Sequence, residues 1–123
     1  MKDSPWKGEE HFWPGKGEEL FGQLADDLLS EPGVTRGTMM GYPCLRSGGA
    51  FFACVERRSG SLVAKLPGPR VRALVAAGRA IPFAPNGRIF REWAAFPEPD
   101  RRQWAAVLDE ARQFVGGKAF EQL

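Results

Sequence analysis

The stretch AFFACVERRSGSLVAKL, residues 50–66, decides the fold. Two apolar runs, Ala50 to Arg57 and Ser61 to Leu66, flank the turn residues Arg58-Ser59-Gly60. In the second run Leu62, Ala64 and Leu66 alternate with Val63 and Lys65. A period of two sends successive side chains to opposite faces of a strand, so the runs read as an antiparallel hairpin with one face on a core. Just upstream, Ser47-Gly48-Gly49 reads as another hairpin turn. Before it, Val34 to Arg46 is expected as one strand kinked near Gly41-Tyr42-Pro43. Together these segments form a three-stranded meander.

On both sides of the meander the period changes to that of a helix. Leu20, Leu24 and Leu28, widened by Phe21 and Leu29, predict a helix over Glu18 to Ser30, stopped by Pro32-Gly33. Downstream, Pro69 to Ala77 reads as a short helix with Val71, Leu74 and Val75 inward and Gly78 as its stop. Ile81 to Phe83 is a brief strand, Pro85-Asn86-Gly87 a turn, and Arg88 to Phe96 another strand. The last helix has a wide apolar stripe: Trp104, Val107, Leu108, Ala111, Phe114 and Val115. Asp100 is placed to cap it, with Gln103 completing a capping box, and Gly116-Gly117 to end it. The expected fold is therefore α+β: two layers, an antiparallel sheet of about five strands, and N-terminal, middle and C-terminal helices. Residues 18–117 form the single domain, 1–17 an irregular leader with Trp6, Phe12 and Trp13, and 118–123 a tail.

Composition agrees with one packed domain. The chain has 123 residues, 43% hydrophobic and 26% charged, close to the globular norm of about 45–50% and about 25%. Two cysteines, Cys44 and Cys54, are too few for a secreted disulfide scaffold. No apolar run reaches the roughly 18 residues of a membrane span, and the first residues lack a signal-peptide core. A cytoplasmic setting without membrane contact is expected. Charge is uneven: residues 1–31 carry a net −5 and the remainder +7. An acidic front on a basic body suits a polyanion partner or self-association.

The motifs for chemistry are sparse. His11, in the leader, is the chain's single histidine, so a nucleophile–histidine pair or a four-ligand zinc site has little to build on. Cys44 and Cys54 fall on adjacent predicted strands, where two buried small hydrophobes outweigh a redox pair. Gly8 to Gly15-Lys16-Gly17 has the wrong spacing for a phosphate loop, and Gly15-Lys16-Gly17 lacks the third glycine of a dinucleotide fingerprint. Glu56, Glu92 or Tyr42 could do acid–base work, but no spacing selects them. No catalytic residues, metal or cofactor are expected.

Basic residues form the remaining constellation. From Arg36 to Arg102 there are twelve Lys/Arg against four Asp/Glu. Arg57 and Arg58 top a hairpin, Arg70 and Arg72 open the short helix, and Arg88 and Arg91 flank a strand. These six are the candidate nucleic-acid contacts, each adding salt-dependent affinity for phosphate. Arginines also decorate solvated sheet edges, where they discourage pairing.

Several segments in order resemble the N-terminal domain of the TfoX/Sxy family, similar in fold to the MmcQ/YjbR-like proteins. They are Glu31-Pro32-Gly33-Val34-Thr35 after the first helix, then Met39-Met40-Gly41-Tyr42-Pro43, and Gly48-Gly49 before Phe51-Phe52-Ala53-Cys54-Val55. Ser61-Leu62-Val63-Ala64-Lys65-Leu66-Pro67, Ile81-Pro82-Phe83 and Gly87-Arg88-Ile89-Phe90-Arg91-Glu92-Trp93 follow, then the terminal helix. The match spans Glu18 to Val115. It implies a bacterial regulator acting with other factors on transcription, on a fold similar to DNA-binding double-wing arrangements, with no catalytic residues to carry over. The expected function is a stand-alone, non-catalytic module touching DNA. The alternative is a protein-interaction module, homodimer included, and the least favoured is a small-molecule pocket near Tyr42, Cys54 and Trp93.

Overall fold

The structure is a computed structural model and describes residues 14–39 and 41–121. Trp6, His11, Phe12 and Trp13, and Met40, lie outside the described residues. Helix α1 spans Pro14–Leu28, followed by strands β1 (Val34–Met39), β2 (Tyr42–Ser47), β3 (Ala50–Glu56) and β4 (Ser61–Lys65). Helix α2 (Gly68–Ala76), strand β5 (Ile81–Pro82), a 3-10 turn at Pro85–Gly87, strand β6 (Trp93–Phe96) and helix α3 (Arg101–Glu121) complete the chain order. The fold is α+β. Its sheet has six strands in the order β1-β2-β3-β4-β6-β5, every neighbouring pair antiparallel.

The sixth strand comes from the segment expected as one kinked strand. Met39 pairs with Tyr42 and Val34 with Ser47, so Val34 to Ser47 is a complete hairpin. Gly41 takes φ +82° in its turn, a conformation open mainly to glycine, and the chain reverses there instead of bending. A further difference lies at Arg88 to Phe96, of which Trp93–Phe96 alone is strand. Phe90 N–H donates to the Phe83 carbonyl at 3.0 Å and Trp93 N–H to the Phe90 carbonyl at 3.1 Å. These bonds close residues 83–93 into a loop and leave 88–92 off the sheet.

Both terminal helices are longer than their apolar periods suggest. Proline suits a first helical position, where its missing N–H costs nothing, and α1 begins at Pro14 inside the expected leader. Helix α3 runs through Gly116-Gly117 into the expected tail, because Gly116 does not adopt the left-handed conformation that would stop it. Asp100 does cap α3, its Oδ1 accepting from Gln103 N–H at 3.0 Å. The Gln103 side chain turns away to the Arg79 carbonyl, so half of the expected capping box forms.

Helices α1 and α3 cover one face of the sheet over β3 and β4, while α2 packs on β5 and β6. Their apolar stripes meet Leu45, Phe52, Val55, Leu62 and Phe96 in the main core around a fully buried Trp104. Between Leu45 and Arg46 the β2–β3 register slips by one, so the consecutive residues Phe52 and Ala53 both join this core. Cys44, Cys54, Val63 and Ala95 form a smaller cluster, with Met39, Phe51, Phe83 and Trp93 packed against it. Helix α1 approaches the β3–β4 turn closely at Gly17. A methyl group there would stand 2.0 Å from the Gly60 carbonyl oxygen and 3.2 Å from the Trp104 ring.

Candidate functional site

Strand β4 separates the expected arginines into two groups. At its first end Glu56 pairs with Ser61, beside the β3–β4 turn that carries Arg57 and Arg58. At its other end Lys65 pairs with Trp93, beside Arg91 and the start of α2. The six arginines therefore do not form one surface. Arg57 and Arg58 stand at one end, and Arg70, Arg72, Arg88 and Arg91 belong to the other.

The two groups also differ in their partners. Arg57 is bonded to Glu18 of α1 at 2.9 Å. Arg70 reaches across to Glu110 of α3 at 2.8 Å, tying α2 to that helix. Arg58, Arg72, Arg88 and Arg91 make no ion pair among the described residues, and all four are exposed. The guanidinium of Arg88 lies 5.7 Å from the centre of the Phe90 ring, within cation–π range. Arg36 is paired with Asp26, so the acidic helix α1 is ion-paired to the basic body of its own chain through Asp26 and through Glu18. Part of the charge asymmetry in the sequence is thus neutralised internally.

The unpaired arginines 72 and 91 line a cavity of about 480 Å³. Helix α2 supplies Val71, Val75 and Ala76 to it, while Phe90 and Trp93 face them from the loop and β6. No carboxylate belongs to the lining among the described residues. Clefts of this size and mostly apolar lining, with a few polar groups, are the usual form of small-ligand sites. Ile89 and Phe90 are exposed at its rim, at 64% and 38%. A second depression of about 300 Å³ carries Glu98 and Asp100 as well as Arg79, and has no single sign of charge.

Trp93 lines the larger cavity as expected, but Tyr42 and Cys54 do not. The cavity was hidden in the sequence because Arg88-Ile89-Phe90-Arg91 imitates strand alternation. Its signal is the preceding Pro85-Asn86-Gly87, where Asn86 takes φ +57° and turns the chain out of the sheet. Gly68 is a further element that sequence reasoning passed over. A methyl group there would stand 3.6 Å from Arg72 Nη1 and 4.0 Å from the Arg91 carbonyl, so both arginine segments border the same backbone.

The cysteines are direct register partners, Cys44 on β2 opposite Cys54 on β3, and both are buried free thiols. Cys44 Sγ lies 3.3 Å from the Tyr42 carbonyl, to which it donates. The facing Cys54 thiol lowers the Cys44 thiol from its ordinary value, against burial, with help from the Met39 backbone and Arg46. The facing Cys44 thiol and burial, with the nearby Cys44 and Glu56 charges, push Cys54 well above it. The carboxylates considered for acid–base work stand apart. Glu56 accepts from Ser59 Oγ at 2.7 Å at one end of β4, and Glu92 lies 3.9 Å from Lys65 at the other. Among the described residues no three of His, Cys, Asp and Glu gather as a metal-holding group. Nor is any described helix long and apolar enough to cross a membrane.

Compared with known proteins, the chain matches no protein-family model, no curated protein and no solved structure.

Proposed function

We propose that this chain is a non-catalytic binding module of the TfoX N-terminal-like kind. On this reading it acts as a regulator in a bacterial cytoplasm and contacts nucleic-acid phosphates through the α2 end of its sheet. The observation that carries the reading is the grouping of Arg72, Arg88 and Arg91, exposed and without ion pairs among the described residues, around one end of the fold. Unpaired guanidinium groups give up no existing bond when they meet phosphate, and each contact releases counterions. Arg57 and Arg70 are already bonded to carboxylates and are the weaker contacts of the expected six. The cytoplasmic setting is supported by two free thiols facing each other across adjacent strands, an arrangement suited to a reducing compartment.

Anisotropy of a labelled duplex at low and physiological salt tests the proposal. Weak binding that falls steeply with salt is expected, lost in the triple Arg72→Glu, Arg88→Glu, Arg91→Glu variant and kept in Arg57→Glu with Arg58→Glu. Absence of binding at low salt overturns it, as does binding indifferent to the triple variant.

A second reading, a protein-interaction or self-association module, is favoured by Ile81, Ile89 and Phe90, the large apolar side chains exposed near the β5 edge. Light scattering over a concentration series tests self-association, and Ile89→Asp should then lower the observed mass. A monomer at every concentration excludes the homodimer.

A further inference from the structure

We infer that the cavity between α2 and the 89–93 segment is a binding site for a small amphipathic carboxylate, an alkyl or aryl acid. In this arrangement Arg72 and Arg91 hold the carboxylate, and Val75, Phe90 and Trp93 cover the apolar body. The inference goes beyond the nucleic-acid reading and does not rest on it, because it needs the cavity and not the flat charge.

The lining sets the ligand class. The cavity of about 480 Å³ has an apolar wall on two sides and two cations, with no acidic residue among the described lining residues to answer them. A neutral apolar ligand would leave both guanidinium groups without counter-charge at the mouth of a half-closed site. A cationic ligand would be repelled. A phosphate-only ligand would leave Phe90 and Ile89 exposed as they are, at 38% and 64%. An acid with an apolar body satisfies both requirements at once: its tail removes that surface from water and its head completes the charge.

Both arginines line the one cavity. Arg72 Nη1 lies 3.6 Å from the position of a methyl on Gly68, so its guanidinium is folded back over the first turn of α2. A guanidinium offers paired N–H donors in one plane, which match the two oxygens of a carboxylate. Arg70, two residues away, is held by Glu110 and does not compete for the role.

Isothermal titration calorimetry with octanoate, octanol and octylammonium tests the assignment on the full chain. Octanoate is expected to bind in the micromolar to millimolar range, at least tenfold more tightly than octanol, with octylammonium silent. Arg72→Ala with Arg91→Ala should bring octanoate down to the level of octanol. Ala76→Trp, at an exposed lining position, should fill the cavity and remove octanoate binding while thermal unfolding stays cooperative near the parent temperature. Equal affinity for octanol or octylammonium contradicts the assignment. So does octanoate binding that survives Ala76→Trp, or no heat with octanoate at all. Because none of these arms contains nucleic acid, their outcome is independent of the duplex experiment.

Discussion

The two ends of β4 begin from similar sequence material, arginines beside turns and glycines, and finish as opposite kinds of surface. At the β3–β4 turn, Gly17 lets α1 close on the Gly60 carbonyl, and Glu18 then ties down Arg57. At the α2 end, the chain leaves the sheet at Pro85–Gly87, and Arg72 and Arg91 stand unpaired over an apolar cavity. Arginine content does not distinguish the ends. Each end holds one arginine already paired, Arg57 with Glu18 and Arg70 with Glu110; what distinguishes them is that α1 closes on the β3–β4 turn at Gly17, while the α2 end keeps an open apolar cavity lined by Arg72 and Arg91.

The largest expected effect breaks the closed end. Gly17→Ala places a methyl group against backbone that cannot move aside as a side-chain tip would. It should destabilise by about 1–3 kcal/mol, the usual cost of overpacking, although alanine is the better helix former. Thermal unfolding should drop by roughly 4 °C per kcal/mol for a domain of this size, and an unchanged midpoint would show that the contact carries no weight.

The next effect belongs to the open end. Reversing Arg72, Arg88 and Arg91 should weaken duplex binding by about tenfold or more while moving the unfolding midpoint little, since no ion pair among the described residues is lost. Reversal of Arg57 and Arg58 should do the converse.

Two smaller effects sharpen the contrast. Gly22 lies on the same helix as Gly17, but a methyl group there meets nothing within 4 Å. Gly22→Ala should therefore stabilise by about 0.5–1 kcal/mol, opposite in sign to Gly17→Ala. Arg57→Ala removes an exposed ion pair and should cost about 0.2–1 kcal/mol in denaturant unfolding, less at high salt.

Most of the fold was legible because burial imposes periods that residues display directly. The stripe Trp104, Val107, Leu108, Ala111 and Val115 is buried as its spacing requires, and the Ala50 to Leu66 hairpin pairs as its alternation requires. The errors in the strands fall where one backbone angle overrides a pattern. Gly41 at positive φ turned one strand into two, and Asn86 turned an alternating run into a loop. The site was legible in part: the sequence named Arg72, Arg91 and Trp93, but not the cavity that collects them. That cavity depends on a loop closed by main-chain bonds from Phe90 to Phe83, which side-chain pattern does not encode. Pairing was likewise invisible, since Glu18 and Arg57 lie 39 residues apart.

The central claim is that binding belongs to the α2 end and not to the hairpin tip. Amide chemical-shift mapping of the isotopically labelled chain, titrated with a short duplex at low salt, tests it most directly. Shifts gathered at residues 68–76 and 88–93, with 57–60 unmoved, are the predicted result. Shifts centred on 57–60, or none anywhere, would contradict it.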